Sequence, residues 1–61
     1  MMPCRVGQRV RVREGKYRDF HGRIEMVRRD IGNGSTLVDV ILDGLMEAIP
    51  YLMTQLENEA R

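Results

Sequence analysis

The chain has 61 residues, of which 43% are hydrophobic and 31% charged, with a formal net charge of +1. A chain this short buries only about 60% of the surface that its unfolded form exposes, so we expect one small domain, residues 1–61, without room for a deep, water-excluding active site. No apolar run approaches the roughly 20 residues of a membrane-spanning helix.

Residues 7–13, Gly-Gln-Arg-Val-Arg-Val-Arg, alternate between apolar and basic side chains, which predicts a half-buried strand. Val10 and Val12 share one face. The other face carries three arginines, Arg9, Arg11 and Arg13. Alternate residues of a strand project about 6–7 Å apart, which matches the spacing of phosphates along one nucleic-acid strand. The alternative is a solvated face paired with acids such as Asp39.

A second alternating segment, residues 22–27, predicts a strand with Ile24 and Met26 inward. Two glycines flank the connection to it. Gly15 is a candidate for a positive-φ turn residue, and Gly22 is a candidate for a close backbone approach or a bulge.

The segment Asp-Ile-Gly-Asn-Gly-Ser at residues 30–35 is a turn cluster, and Asn33-Gly34 favours a tight hairpin. Residues 36–42 follow as a predicted third strand. One face of this strand carries Val38, Val40 and Leu42, and the other carries Leu37, Asp39 and Ile41. The apolar residues of the second face could meet another strand, a partner or only solvent.

Asp43-Gly44 predicts another turn, after which the pattern is ambiguous. Helical spacing of the apolar residues allows a helix beginning at Pro50. The competing interpretation is a short strand ended by Pro50, a single helical turn at residues 50–53 and a last strand at residues 55–59. Several short strands joined by glycine turns favour a small β-barrel, whose closure removes exposed sheet edges.

Charge is distributed unevenly along the chain. Residues 1–30 hold nine Lys or Arg against four acids, whereas residues 31–61 hold one Arg against five acids. Such asymmetry is typical of a surface for nucleic acid or an acidic partner, unless strands from the two halves lie side by side and neutralise each other. The lone Cys4 cannot form an internal disulfide, and no signal peptide is evident at the N-terminus, which favours the cytoplasm.

Catalytic and metal-binding patterns are missing from the sequence. Its single histidine, His21, and single cysteine form no nucleophile–base–orienter set and supply too few ligands for a metal. Residues 32–35 contain two glycines but no following lysine, so they indicate a hairpin and not a phosphate loop. We expect a protein that is not an enzyme and needs no cofactor.

The pattern Gly7-x-x-Val10-x-Val12-x-x-Gly15-x-Tyr17-x-x-x-x-Gly22-x-Ile24 resembles the KOW motif of the NusG/Spt5 family and of certain ribosomal proteins. The likeness is to the C-terminal KOW domain of NusG, where a glycine and an aromatic residue precede Asp-Phe-x-Gly, as they do at residues 15–22. Gly44 and residues 55–57 are in step with the family's later glycine turn and last strand. The resemblance covers about residues 5–59. Residues 43–45, Asp-Gly-Leu, stand where the family has a Phe-Gly-Arg turn.

This resemblance implies an all-β fold, a small five-stranded SH3-like barrel with one short helical turn before the last strand. It also implies that Phe20 matches a phenylalanine with which NusG contacts a ribosomal protein. Tyr17 is expected to pack on the barrel rim or to stack on a base, and His21 to be a solvated strand residue.

Three sets of candidate residues result. The candidate nucleic-acid contacts are Arg9, Arg11, Arg13, Lys16, Arg18 and Arg23. The candidate contacts to a protein partner are Tyr17, Phe20, Ile24 and Leu45. The glycines with a structural role are Gly15, Gly22 and Gly44.

We expect a cytoplasmic KOW module that binds RNA, a ribosomal or transcription protein, or both, in transcription or translation. Metal and membrane binding are not expected, and the chain is expected to be a monomer or a weak homodimer. The alternative is a protein-interaction or homodimerisation module without a nucleic-acid role, which uses the apolar residues Phe20, Leu37, Ile41 and Leu45.

Overall fold

Five antiparallel strands form one sheet in the computed structural model, which describes residues 4–29 and 36–59. The strands are β1 (Arg9–Val12), β2 (His21–Arg29), β3 (Thr36–Leu42), β4 (Ala48–Leu52) and β5 (Leu56–Asn58), with a 3-10 turn at Met53–Gln55. Their order across the sheet is β4-β3-β2-β1-β5. The expected Asn33-Gly34 hairpin lies outside the described residues.

The core is one apolar cluster to which every strand contributes. Its buried members are Val10, Val12, Ile24, Val38, Val40, Leu42, Tyr51 and Leu56. Because the two edge strands β4 and β5 both bury a side chain in this single cluster, the sheet must curl around it. The fold is therefore the expected all-β, five-stranded SH3-like barrel, with its short helical turn directly before the last strand.

The alternation predicted for the first and third strands is confirmed. Val10 and Val12 of β1 are fully buried, and so are the three core-facing residues of β3. The register places core residues opposite one another, as in the pairs Val12↔Leu56 and Val38↔Tyr51. In β1 and β3 the hydrophobic period therefore fixes which face of the strand is inside.

Met26 does not face the core, so that prediction is wrong. Ile24 pairs with Val40 but Met26 pairs with Asp39, and the register shifts between Ile24 and Met26. The extra residue, Glu25, is a β-bulge, and such an insertion reverses the faces of the residues that follow it. Met26 is 51% exposed as a result, and Val27 packs against the core in its place.

The tail follows the strand–turn–strand alternative, but Pro50 does not end its strand. It lies in the middle of β4, opposite Asp39. Since proline has no N–H to donate to β3, it can occupy only the non-hydrogen-bonded position of the ladder, with its nitrogen toward the free edge. The helical turn consequently falls at Met53–Gln55, three residues later than expected, where the side-chain Oε1 of Gln55 accepts a 2.8 Å hydrogen bond from the Leu52 N–H.

Gly22 lies where two strands approach closely. A Cβ at this position would lie 2.6 Å from the carbonyl oxygen of Ile41 and 2.9 Å from Leu42 Cα. No other residue type fits there without movement of backbone, so the close approach expected from the sequence is confirmed. The opposite side of Gly22 pairs with Val10, which places this glycine between β1 and β3.

Candidate functional site

The connection between β1 and β2, residues 13–20, is here called the aromatic loop. Two of its residues have positive φ angles, Gly15 at 93° and Asp19 at 72°. The glycine adopts this conformation without cost, as expected, and aspartate is among the few other residues that tolerate it. The sequence does not predict the positive φ of Asp19, because an aspartate side chain alone does not distinguish a turn from a strand end.

Backbone hydrogen bonds pin the aromatic loop to the end of β1. The Asp19 N–H donates to the Val12 carbonyl at 2.8 Å, and the Val12 N–H donates to the Phe20 carbonyl at 2.9 Å. Within the loop, the Phe20 N–H donates to the Tyr17 carbonyl at 2.9 Å. The loop is thus a set of closed turns with a defined backbone path.

The two rings of the loop contact each other edge to face. Tyr17 and Phe20 have ring centroids 5.3 Å apart at an interplanar angle of 65°, an arrangement that aromatic pairs favour. Tyr17 packs against the core as expected. Burial is the main cause of the raised pKa of Tyr51, and the electrostatic interaction with the nearby Tyr17 is the second cause. Phe20 stands on Tyr17 and is 43% exposed.

The turn after β3 lies beside the aromatic loop. The Asp43 N–H donates to the carbonyl of His21, the residue next to Phe20, at 2.8 Å. Gly44 has a φ of 89°, as its expected turn role requires. Leu45 packs against the core and remains partly accessible, whereas Met46 is 94% exposed. The aromatic loop and residues 43–46 therefore form the two sides of one candidate surface.

Ile24 does not belong to that surface. It is fully buried in the middle of the core, so the expectation that it contacts a partner is wrong. The same strand alternation that turns Ile24 inward turns its neighbours Arg23 and Glu25 outward.

Two arginines of the β1 face are paired with acids. Arg9 donates to both carboxylate oxygens of Asp43, at 3.0 and 2.6 Å, and its Nε donates to Glu59 at 3.2 Å. Arg11 donates to Glu57 and lies 3.4 Å from Asp19. The hydrogen bond from Arg9 is the largest cause that holds the pKa of Asp43 below its ordinary value, and Arg11 does the same for Glu57.

These ion pairs join the basic first half of the chain to its acidic second half. The neutralisation considered from the sequence is therefore present. Asp39 takes part in it through Arg28, at 2.7 Å, and not through an arginine of β1. Phosphate binding by Arg9 or Arg11 would first have to displace a carboxylate, so the spacing of the β1 arginines alone is a weak indication of nucleic-acid binding.

The other candidate cations are not paired with a carboxylate of the described residues, unlike Arg9 and Arg11. Arg13 approaches the Thr54 carbonyl at 3.5 Å, and the Lys16 Nζ lies 5.5 Å from the centre of the Tyr17 ring. Lys16, Arg18 and Arg23 are exposed and form no ion pair within residues 4–29 and 36–59. Two of these three flank the rings of the aromatic loop.

A shallow groove of about 290 Å³ crosses the β1 face and is lined by Arg11, His21, Glu57, Asn58 and Glu59. The Nδ1 of His21 is buried and makes no hydrogen bond to a described residue, although it lies 3.0 Å from a Glu59 carboxylate oxygen. The contact between His21 and Glu59 is an ion pair only when the imidazole is protonated. With one arginine against two glutamates, the groove offers no excess of positive charge for an anion.

The described part of the chain has no group of three or more His, Cys, Asp or Glu side chains placed to hold a metal ion. Burial raises the pKa of the Cys4 thiol, which lowers the fraction of reactive thiolate. No helix among residues 4–29 and 36–59 has the length and apolar character to cross a membrane.

No family model, curated protein or solved structure matches this chain.

Proposed function

We propose that this protein is a non-enzymatic binding module of the KOW type, which acts in the cytoplasm by docking a ribosomal or transcription protein. The docking surface is the aromatic loop together with residues 43–46. The KOW-like pattern from Gly7 to Ile24 supports the proposal, and so does a barrel with the strand number that the pattern implies.

The observation that carries the proposal is the exposure of Phe20. Its ring is 43% accessible although it packs edge to face on the half-buried Tyr17. The Asp43 N–H, which donates to the carbonyl of the neighbouring His21, brings the turn that contains Leu45 alongside the loop. A large ring held partly in water is a candidate anchor, since a few aromatic residues dominate the energy of most protein interfaces. Burial of the Phe20 ring by a partner would remove its apolar surface from water, which is favourable in free energy.

The backbone of the aromatic loop favours docking for a second reason. Its hydrogen bonds to Val12 fix the position of Phe20 before any partner arrives. A binding surface that is already ordered loses less conformational entropy on association, and affinity rises accordingly.

RNA binding is the second candidate function, and the exposed cations of the aromatic loop favour it. Lys16 and Arg18 flank two rings, and single-stranded nucleic acids bind to aromatic side chains that lie beside basic ones. Protein docking ranks first because Arg9 and Arg11, which would extend a phosphate track along β1, are already paired with carboxylates.

The test compares Phe20→Ala with a matched control, Val6→Ala. Val6 is 68% exposed and lies before β1, at the end of that strand opposite the aromatic loop. Phe20→Ala should cost about 2 kcal/mol or more of binding free energy, as aromatic anchors do. It should change the free energy of unfolding by far less than the roughly 3–5 kcal/mol of a buried Phe→Ala substitution.

Binding is measured by affinity capture from a lysate with the wild type and both variants, with and without nuclease, followed by titration of the captured protein. A nuclease-resistant partner that is lost with Phe20→Ala and kept with Val6→Ala supports docking. Capture that disappears with nuclease supports the RNA candidate. In that case Lys16→Gln with Arg18→Gln should reduce the salt dependence by up to about 1.4 in slope, at roughly 0.7 per phosphate contact. Equal protein capture by Phe20→Ala and the wild type would contradict the proposal.

A further inference from the structure

A second apolar surface lies on the outside of β2, β3 and β4. The register brings its members together, because Ile41 pairs with Ala48, Leu37 pairs with Leu52, and Met26 and Pro50 both pair with Asp39. Each of these residues alternates with a core residue of its strand or follows the bulge, so all of them face outward. We call this set the outer face: Met26, Leu37, Ile41, Ala48, Pro50 and Leu52.

Much of the outer face is accessible to solvent. Met26 is 51% and Leu52 42% exposed, and Leu37 and Ile41 are only half-buried. An exposed Met or Leu is ordinary when it stands singly, but contiguous apolar side chains on adjacent strands indicate an interaction surface.

The charges on the outer face identify a suitable occupant. Arg28 and Asp39 pair with each other at 2.7 Å, on positions adjacent to Leu37, Met26 and Pro50 in the ladders. A twofold dimer brings a patch against itself, so the patch must be self-complementary. Arg23, which pairs with Ile41, and Glu25 also point outward, and their charges have opposite signs. The four charges on this side of β2 and β3 therefore sum to zero, so face-to-face contact between two copies does not oppose an excess of like charge, and an acidic or a basic partner gains no net steering charge.

Pro50 disfavours the other way in which two copies of a sheet can pair. Strand β4 forms a free edge in the described fold, since it pairs only with β3. Proline offers no N–H toward that edge, which interrupts the ladder that a second strand would need. Contact between outer faces remains available, whereas edge-to-edge pairing at β4 is impeded.

We propose that the outer face is the homodimer surface of this protein and that the dimer is weak. Three strands about 4.8 Å apart, with five paired residues at about 3.4 Å each, cover on the order of 250 Å² of flat sheet. Side chains enlarge this area, but it stays below the roughly 800 Å² per partner of a standard stable interface. The dimer therefore forms only at high protein concentration.

The experiment is a concentration series on the full chain, from about 20 μM to about 1 mM, a range suited to a weak interface. Sedimentation velocity measures the oligomeric state, and amide chemical shifts locate the contact. We expect the sedimentation coefficient to rise toward that of a dimer. The shifts that move should belong to Met26, Leu37, Ile41 and Leu52 and not to the aromatic loop or β5.

Leu52→Lys should weaken the dimer by about tenfold or more, because it places an unpaired charge inside an apolar contact. Val6→Lys is the matched control, an exposed apolar residue outside the outer face, and should dimerise like the wild type. Met26→Lys repeats the test on β2 if the first variant folds poorly.

A chain that stays monomeric up to about 1 mM overturns the proposal. Dimerisation whose shifts map to the aromatic loop or to β5, or which Leu52→Lys and Val6→Lys weaken equally, also overturns it. Neither result bears on capture of a partner by Phe20, which is measured separately at low concentration.

Discussion

Gly22→Ala tests the packing that holds β2 against β3 next to the candidate surface. The added methyl group would lie 2.6 Å from the Ile41 carbonyl oxygen, 2.9 Å from Leu42 Cα and 2.9 Å from Val40 Cγ1. Two of these three atoms belong to the backbone of β3, so rotation of a side chain cannot relieve the overlap. The strands must separate by several tenths of an ångström, which disturbs the ladder on both sides.

Overpacking of a well-packed core costs about 1–3 kcal/mol, and the two backbone contacts place this substitution at the upper end. A domain of 61 residues has a total stability of about 3–9 kcal/mol at roughly 0.05–0.15 kcal/mol per residue. We therefore expect a loss of about 3 kcal/mol, which lowers the midpoint of thermal unfolding by about 12 °C or more. Urea unfolding followed by circular dichroism measures the loss directly.

Gly15 provides the control that separates steric overlap from backbone conformation. It has a φ of 93° and open space around it, so Gly15→Ala should cost only the roughly 1–2 kcal/mol of a left-handed alanine. Asparagine tolerates that conformation, and Gly15→Asn should recover part of the loss, whereas Gly22→Asn should be at least as damaging as Gly22→Ala. A Gly22→Ala variant within about 0.5 kcal/mol of the wild type would refute the reasoning.

The ion pairs and the second positive-φ residue of the aromatic loop give two more expected outcomes. Arg9 lowers the pKa of Asp43, so the pair adds stability that is complete above about pH 3.9 and is lost as the pH falls through the lowered pKa of the folded state. Asp43→Asn should therefore destabilise the protein at neutral pH and by less in strong acid, and an equal difference in urea midpoint at both pH values would contradict this. Asp19 has a φ of 72°; Asp19→Val should cost about 1–2 kcal/mol, while Asp19→Gly should stay close to the wild type in thermal unfolding, and similar losses for both would rule out backbone conformation as the cause.

The fold could be predicted where local pattern and global packing agree. The alternation in β1 and β3 depends only on which residues are apolar, and both strands bury the residues that the pattern selects. Gly15 and Gly44 could be predicted for a similar reason, since a turn that needs a positive φ takes glycine almost regardless of its surroundings.

The errors came from features that depend on neighbouring strands. Met26 faces outward because β2 carries one residue more than β3 across the bulge, and that surplus is visible only once the two strands are paired. Pro50 stays inside a strand because β4 is at the edge of the sheet, which the strand order decides and a local pattern does not. The strand pattern predicts Ile24 in the core and the KOW-like motif predicts it at a partner surface, and only its burial in the folded protein decides between the two.

The candidate site was only partly predictable, because its electrostatics depend on contacts that are distant in sequence. Phe20 could be selected from its polar neighbours and the KOW-like pattern, whereas Arg9 and Arg11 lose their availability through carboxylates 34 to 50 residues away. Three short elements, β1, β5 and the turn after β3, are joined by these same pairs. Arg9 and Arg11, whose spacing in the sequence suggests phosphate binding, thus link the elements of the barrel to each other. For this reason we propose that recognition occurs at the aromatic loop, where Lys16 and Arg18 carry charge that no described carboxylate neutralises and Phe20 carries apolar surface that the core does not cover.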